Sequence, residues 1–222
     1  TQDHNAIDAQ NNTSSDGWEL YNDDVGSVSG RTDTFKIFVK ESTGAGGSST
    51  QIEAATGSAI ANQWQHLFVG MEAGSTTGLQ LWIDGAEDAN GPVTLANHGN
   101  LGDNTEAVRF GLRTGNDRDR DGRLAEVGVW NRILTDSEII SLSKGFSPLF
   151  YPNSLVFYAP LIGRYSPEID LKGGASGTLT GTANVAHPRI IYPSSGKIRR
   201  FTTAAAAAAV QGSWRSLLGV GL

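Results

Sequence analysis

The densest chemistry in this chain lies in the stretch NDRDRDGR at 116–123, where Asp117, Asp119 and Asp121 alternate and Gly122 follows. Oxygen ligands at every second position ahead of a glycine turn are the first half of a calcium loop. The second half departs from that pattern, because the twelfth position is Gly128 where a bidentate glutamate is needed. Arg118, Arg120 and Arg123 stand among the acids, so the stretch reads either as a calcium loop or as a charge-paired hairpin tip. A second constellation is Trp82 with Arg109 and Arg113. On neighbouring strands, an aromatic ring and two cations can bind a saccharide, meet a partner protein, or simply cover the sheet as a cation–π contact. Glu126 stands alone on RLAEVGVW, whereas retaining glycoside cleavage needs two carboxylates about 5–5.5 Å apart. His4, His66, His98 and His187 are scattered, with no ligand spacing and no serine motif beside them. Cysteine is absent, which removes thiol nucleophiles, thiolate metal sites and disulfides. No catalytic residue is assigned and the protein is read as a non-enzyme; calcium at Asp117, Asp119 and Asp121 is the one cofactor kept open.

The segments that must position these residues alternate with a period of two. Leu67, Val69 and Met71 share a face in 64–71, Leu79, Leu81 and Ile83 in 78–85, and Val108, Phe110 and Leu112 in 107–114. Runs this short with that period are half-buried antiparallel strands. Asp84-Gly85 tolerates the positive φ of a tight hairpin, and 122–130 reads as a further strand. A short helix is predicted over 135–144. Thr135 and Glu138 form a capping box, Leu134 and Ile139 a hydrophobic staple, Lys144 complements the C-terminal dipole, and Gly145 stops the helix. With 28 glycines in 222 residues and no apolar run near the ~20 needed to span a bilayer, the composition is that of one β domain with appendages and no membrane partner.

The series W-x-H, L-x-L-W-I-D-G, R-F-G and DGRLAEVGVWNRILTDSEIISL over 64–145 resembles the laminin-G-like, concanavalin A-like jelly-roll family. The resemblance implies an all-β antiparallel sandwich with one short helix. Related glycosidases carry E-x-D-x-E on one strand, which Glu126 alone does not supply. The strand that usually opens such a module is missing before Trp18, while its counterpart, SLVFYAPL at 154–161 with GGASGTLTGTANV at 173–185, follows the helix. Late closure of the roll is expected, because about 60 Gly-rich residues are too few for a second core. The chain divides into a sandwich at 1–150, whose N-terminal edge is open to question, a closing segment at 151–185, and a basic, Ala-rich arm at 186–222.

Charge separates these parts. All 23 acids and 11 of the 17 bases lie at or before Asp170, so residues 1–170 carry −12, while 171–222 hold six bases and no acid. Lys197, Arg199, Arg200, Trp214, Leu217 and Leu218 make the arm basic and apolar, and six alanines at 204–209 favour a helix once a partner supplies a surface. The acidic body repels a phosphate backbone, so nucleic acid is not the expected partner. GFSPLFYPNSLVFYAPL at 145–161 and VAHPRIIYP at 185–193 resemble segments that accompany laminin-G-like modules in tailed-phage proteins. That resemblance implies a non-catalytic virion structural protein, decorating a capsid or associated with a fibre, at the virion surface and in an oligomeric assembly. The alternative is a carbohydrate-binding adhesion module with a glycan ligand in an extracellular setting.

Overall fold

The structure, a computed structural model, describes residues 4–9, 17–23, 33–41, 48–98, 107–111, 122–163, 166–178, 180, 183 and 185–193. Twelve strands are described: β1 (His4–Asp8), β2 (Gly17–Asp23), β3 (Thr34–Glu41), β4 (Ser48–Glu53), β5 (Leu67–Met71), β6 (Leu79–Ile83), β7 (Ala86–Glu87), β8 (Arg109–Phe110), β9 (Val127–Trp130), β10 (Leu155–Ala159), β11 (Glu168–Ile169) and β12 (Ser176–Gly177). Helix α1 (Asp136–Ser143) and a 3-10 turn at Pro148–Phe150 separate β9 from β10. The strands form a five-stranded sheet in the order β4-β3-β2-β1-β8, a three-stranded sheet β5-β6-β7, and the pairs β10-β9 and β11-β12. Every pairing between these strands is antiparallel.

The core forms where the two larger sheets bury one face each. Register places Leu20 opposite Ile37 and Ile37 opposite Ile52, a row across three strands. This row packs with Phe35, Val39 and Ala54 against Leu79, Leu81 and Leu95, and Leu67, Val69, Met71 and Ile83 complete the contact. The alternation read in 64–71 and 78–85 therefore identifies the core face of β5 and β6. At ~1.5–3 kcal/mol for each large side chain withdrawn from water, this layer is the main source of cohesion. The segment at 107–114 yields a strand of two residues among those described, and Val108, assigned to the core by its spacing, is 53% exposed. Its place precedes the paired residues, so the sheet never covers it.

The hairpin between β6 and β7 turns on Asp84 and Gly85, at φ 52 and 82, which brings Ile83 opposite Ala86. Two consecutive positive φ values are the signature of a two-residue type I′ turn. A side chain at Gly85 would also run into Ser143 of α1, so the glycine serves both the turn and the approach of the helix.

Helix α1 follows the capping chemistry read from the sequence. Thr135 is the N-cap, its hydroxyl accepts from Glu138 N–H, and Glu138 Oε2 accepts from Thr135 N–H at 2.9 Å. Lys144 is the C-cap and Gly145 takes φ 85. Arg132 adds a fork-to-fork ion pair to the same carboxylate, at 2.6 and 2.8 Å. Its hydrogen bonds lower the Glu138 pKa from 4.5 to about 2, outweighing the opposing effect of burial. A carboxylate depressed in the folded state stabilises the fold above its ordinary pKa and loses that contribution as pH falls through the folded value. Melting temperature followed from neutral pH down to about 2 should therefore fall through this window, and the Glu138→Gln variant should show a flatter decline because it has no charge to lose.

Candidate functional site

A trio of aromatic and cationic faces was expected around Trp82, and the structure corrects it. Trp82 lies on the face of β6 away from the core, yet it is 8% exposed, because Leu134 ahead of α1 and Ile139 and Leu142 on it cover the ring while Phe68, Trp130 and Tyr151 pack around it. Both faces of β5 and β6 are thus covered, one by a sheet and one by a helix. Arg109 stands on β8 in the other sheet, opposite Asp8, which is in turn opposite Glu19. Trp82 and Arg109 therefore stand in different sheets and are not strand neighbours. Arg113, the acids Asp117, Asp119 and Asp121, and Lys197, Arg199, Arg200, Trp214, Leu217 and Leu218 lie outside the described residues. Among the described residues no group of three His, Asp or Glu side chains could hold a metal ion. Gly128, the failed twelfth ligand position, sits in β9 where an added Cβ would come within 2.7 Å of the Trp130 ring and 3.2 Å of Pro148.

Glu126 has the richest surroundings. It immediately precedes β9 with φ 59, a left-handed conformation that costs a non-glycine residue about 1–2 kcal/mol, and its N–H donates to Pro160 O at 3.1 Å. The pairing of β9 with β10, in which Val127 faces Ala159 and Gly128 faces Tyr158, brings the Tyr158 hydroxyl to Glu126 Oε2 at 2.7 Å. Tyr192 donates to Oε1 at 3.0 Å and His187 Nε2 approaches the same oxygen at 3.3 Å. Ser147 Oγ, which also caps the 3-10 turn by accepting from Leu149 N–H, donates to the Tyr158 hydroxyl at 3.2 Å. With its side chain only 12% exposed, Glu126 would be costly without these donors.

The protonation states are fixed by the same contacts. Burial first, and the Glu126 charge second, push the Tyr158 and Tyr192 hydroxyls above their ordinary value, so both remain donors. Burial opposes charge on His187, but hydrogen bonds to Glu126, Pro160 O and Pro188 O outweigh it and hold the imidazole above 6.5. Below this cluster, Asp170 accepts from the N–H groups of Tyr158, Lys172, Gly173 and Ala175 at 2.8–3.2 Å. Burial raises its pKa, and those backbone donors more than reverse the effect.

Two other histidines have described surroundings, and His98 Nδ1 lies 3.8 Å from Glu41 Oε2. Burial lowers His66 to about 4 against the attraction of Asp84, which keeps it neutral near pH 7. His98 is buried beside Thr50, with Nε2 at 3.0 Å from the hydroxyl oxygen. Glu126 was read in the sequence as an acid lacking a partner carboxylate, and its real partners, 32 to 66 residues away, were missed. The one signal available was that His187 and Tyr192 share the motif VAHPRIIYP.

A short segment thereby joins the body. Ser147 N–H donates to Ile191 O, Ile191 N–H donates to Gly145 O, and Phe146 bridges to Ile191 in parallel. Residues 186–192, placed in the arm by their charge and composition, are held to the body through these bonds and through His187 and Tyr192. Any arm begins after them.

Two antiparallel sheets packed face to face, with a capped helix over one of them, define a β-sandwich. The model of the concanavalin A-like lectin/glucanases superfamily, laminin-G type, matches residues 1–140. The chain belongs to that superfamily, and its fold is the antiparallel jelly-roll sandwich expected from the sequence. No curated protein and no solved structure matches the chain. Ser147, Tyr158, Asp170, His187 and Tyr192 all lie beyond the matched residues.

Replacing Glu126 by Gln should lower stability by about 2–4 kcal/mol, since one charge-assisted acceptor becomes an amide donor facing groups that already donate. Tyr192→Phe, which removes one donor and leaves Tyr158 in place, should cost roughly 1–2 kcal/mol. Urea unfolding of the two variants checks the order.

Proposed function

We propose that this protein is a non-catalytic structural component of a tailed-phage particle, located at the particle surface and bound to other shell or fibre proteins. The observation that carries this reading is the joining of the two phage-like segments. Residues 145–161 and 185–193 meet through the Phe146–Ile191 bridge and through Ser147, Tyr158, Glu126, His187 and Tyr192. Motifs far apart in sequence that close on one another behave as one unit, here beside a sandwich of widespread type. The superfamily alone, which includes both lectins and glucanases, does not decide function.

Two features support the absence of catalysis. Both Glu126 oxygens are occupied by donors from the protein itself. Asp8 and Glu19 do stand opposite one another on β1 and β2, but at 0% and 4% exposed they offer no access to a polysaccharide. The acidic body, with −12 over residues 1–170, argues against nucleic acid as a partner. No described helix is long and apolar enough to cross a membrane.

In this reading the basic, apolar residues 194–222 attach the body to its neighbours, steered by charge and held by apolar burial. A chain ending at Pro193 should keep the melting temperature of the full protein within a few degrees while losing association with purified particles. Attachment of the full chain should weaken with salt without disappearing. Equal binding by the truncated protein would remove the arm from the account. Failure to co-purify with particles, together with retention on a glycan array, would replace the proposal by the carbohydrate-binding adhesion module.

A further inference from the structure

Residues 186–192 meet the body through two kinds of chemistry. One is backbone pairing, in which Ser147 N–H donates to Ile191 O at 2.9 Å and Ile191 N–H donates to Gly145 O at 2.8 Å. Peptide groups do not titrate, so this contact has no pH dependence of its own. The other is His187, whose Nδ1 faces Pro188 O at 2.9 Å while Nε2 faces Pro160 O at 3.0 Å and Glu126 Oε1 at 3.3 Å. Among the described residues, these neighbours of the two nitrogens are all acceptors. Only the doubly protonated ring satisfies them, because a neutral imidazole must turn one lone pair toward an oxygen.

We propose that residues 186–192 form a pH-operated latch, in which imidazolium His187 holds the segment against Glu126 and loss of its proton loosens the base from which residues 194–222 continue. The groups facing His187 come from three places. Glu126 precedes β9, the Pro160 carbonyl follows β10, and Pro188 O belongs to the segment itself. Tyr158 on β10 and Tyr192 on the segment reach the same carboxylate as neutral donors. Among the described residues, the charged groups paired at this place are Glu126 and His187. When His187 is neutral, Glu126 keeps its two tyrosines and loses its cation, so the latch weakens while the carboxylate stays solvated by hydroxyls.

The direction follows from linkage. The latched ring holds its proton above 6.5. Its contribution is therefore complete below the ordinary value and is lost as pH rises through the higher, latched one. The change spans the range in which histidine alone among ordinary side chains alters its charge. The inference concerns the isolated chain in solution and stands or falls independently of attachment to any particle.

The test is a pH series on the full-length protein, with His187 ring resonances and amide hydrogen exchange read together. Protection of the Ser147 and Ile191 amides, corrected for base-catalysed exchange, should fall severalfold as His187 titrates, because the proton that holds the segment is lost. The Ile37 and Val39 amides in β3 should hold their protection across the series. His187→Gln, which keeps a hydrogen-bonding side chain without the charge, should show the low protection at every pH and no step. Should that variant fail to fold, the wild-type series decides alone. Ser147 and Ile191 amides that follow the β3 amides throughout, or a His187 that titrates at or below its ordinary value, would overturn the latch.

Discussion

A carboxylate drawn out of water must have its oxygens met by donors, and at Glu126 those donors come from late parts of the chain that backbone pairing also ties to the body. Tyr158 arrives on β10, while His187 and Tyr192 arrive on a segment that returns after a further stretch of chain. The left-handed backbone at Glu126 is tolerated because the flanking ladder and the N–H bond to Pro160 fix it. With its side chain only 12% exposed, the carboxylate adds a demand for donors to the backbone pairing that joins the late segments.

The same logic explains the layering. An antiparallel sheet can leave one face to water, but β5 and β6 present Phe68 and Trp82 on the face away from the core, and α1 is drawn onto them. The helix is short, so its ends have to be well made. Its capping box and the Arg132 pair satisfy the N-terminus, and the hairpin glycine at 85 lets its last turn come close. The helix sits between β9 and β10 in the chain, and the pair they form carries Glu126 at the start of β9.

Local features of this architecture were legible because their causes are local. Thr135 to Gly145 carries the helix ends in neighbouring residues, and Asp84-Gly85 specifies a turn by backbone preference alone. The core faces of β5 and β6 were legible from alternation. What alternation cannot say is whether the opposite face meets water, and for Trp82 the answer lay in a helix some fifty residues further on, about which the strand itself carries no information. The Glu126 cluster failed for a related reason. A lone acid, a lone histidine and two tyrosines at unrelated positions have no spacing to recognise. Their meeting depends on the register of β9 against β10 and on the return of residues 186–192. The same return joins residues 186–192, which composition groups with the residues after them, to the body.

The superfamily match ends at residue 140, and the segments that answer Glu126 begin after it. The central claim is that the matched part cannot stand by itself. Urea unfolding and size-exclusion chromatography of residues 1–145 test this most directly. The account predicts a self-associating fragment with no cooperative transition, because β9 loses its partner strand and Glu126 its donors. A monomeric fragment with one cooperative transition would contradict it.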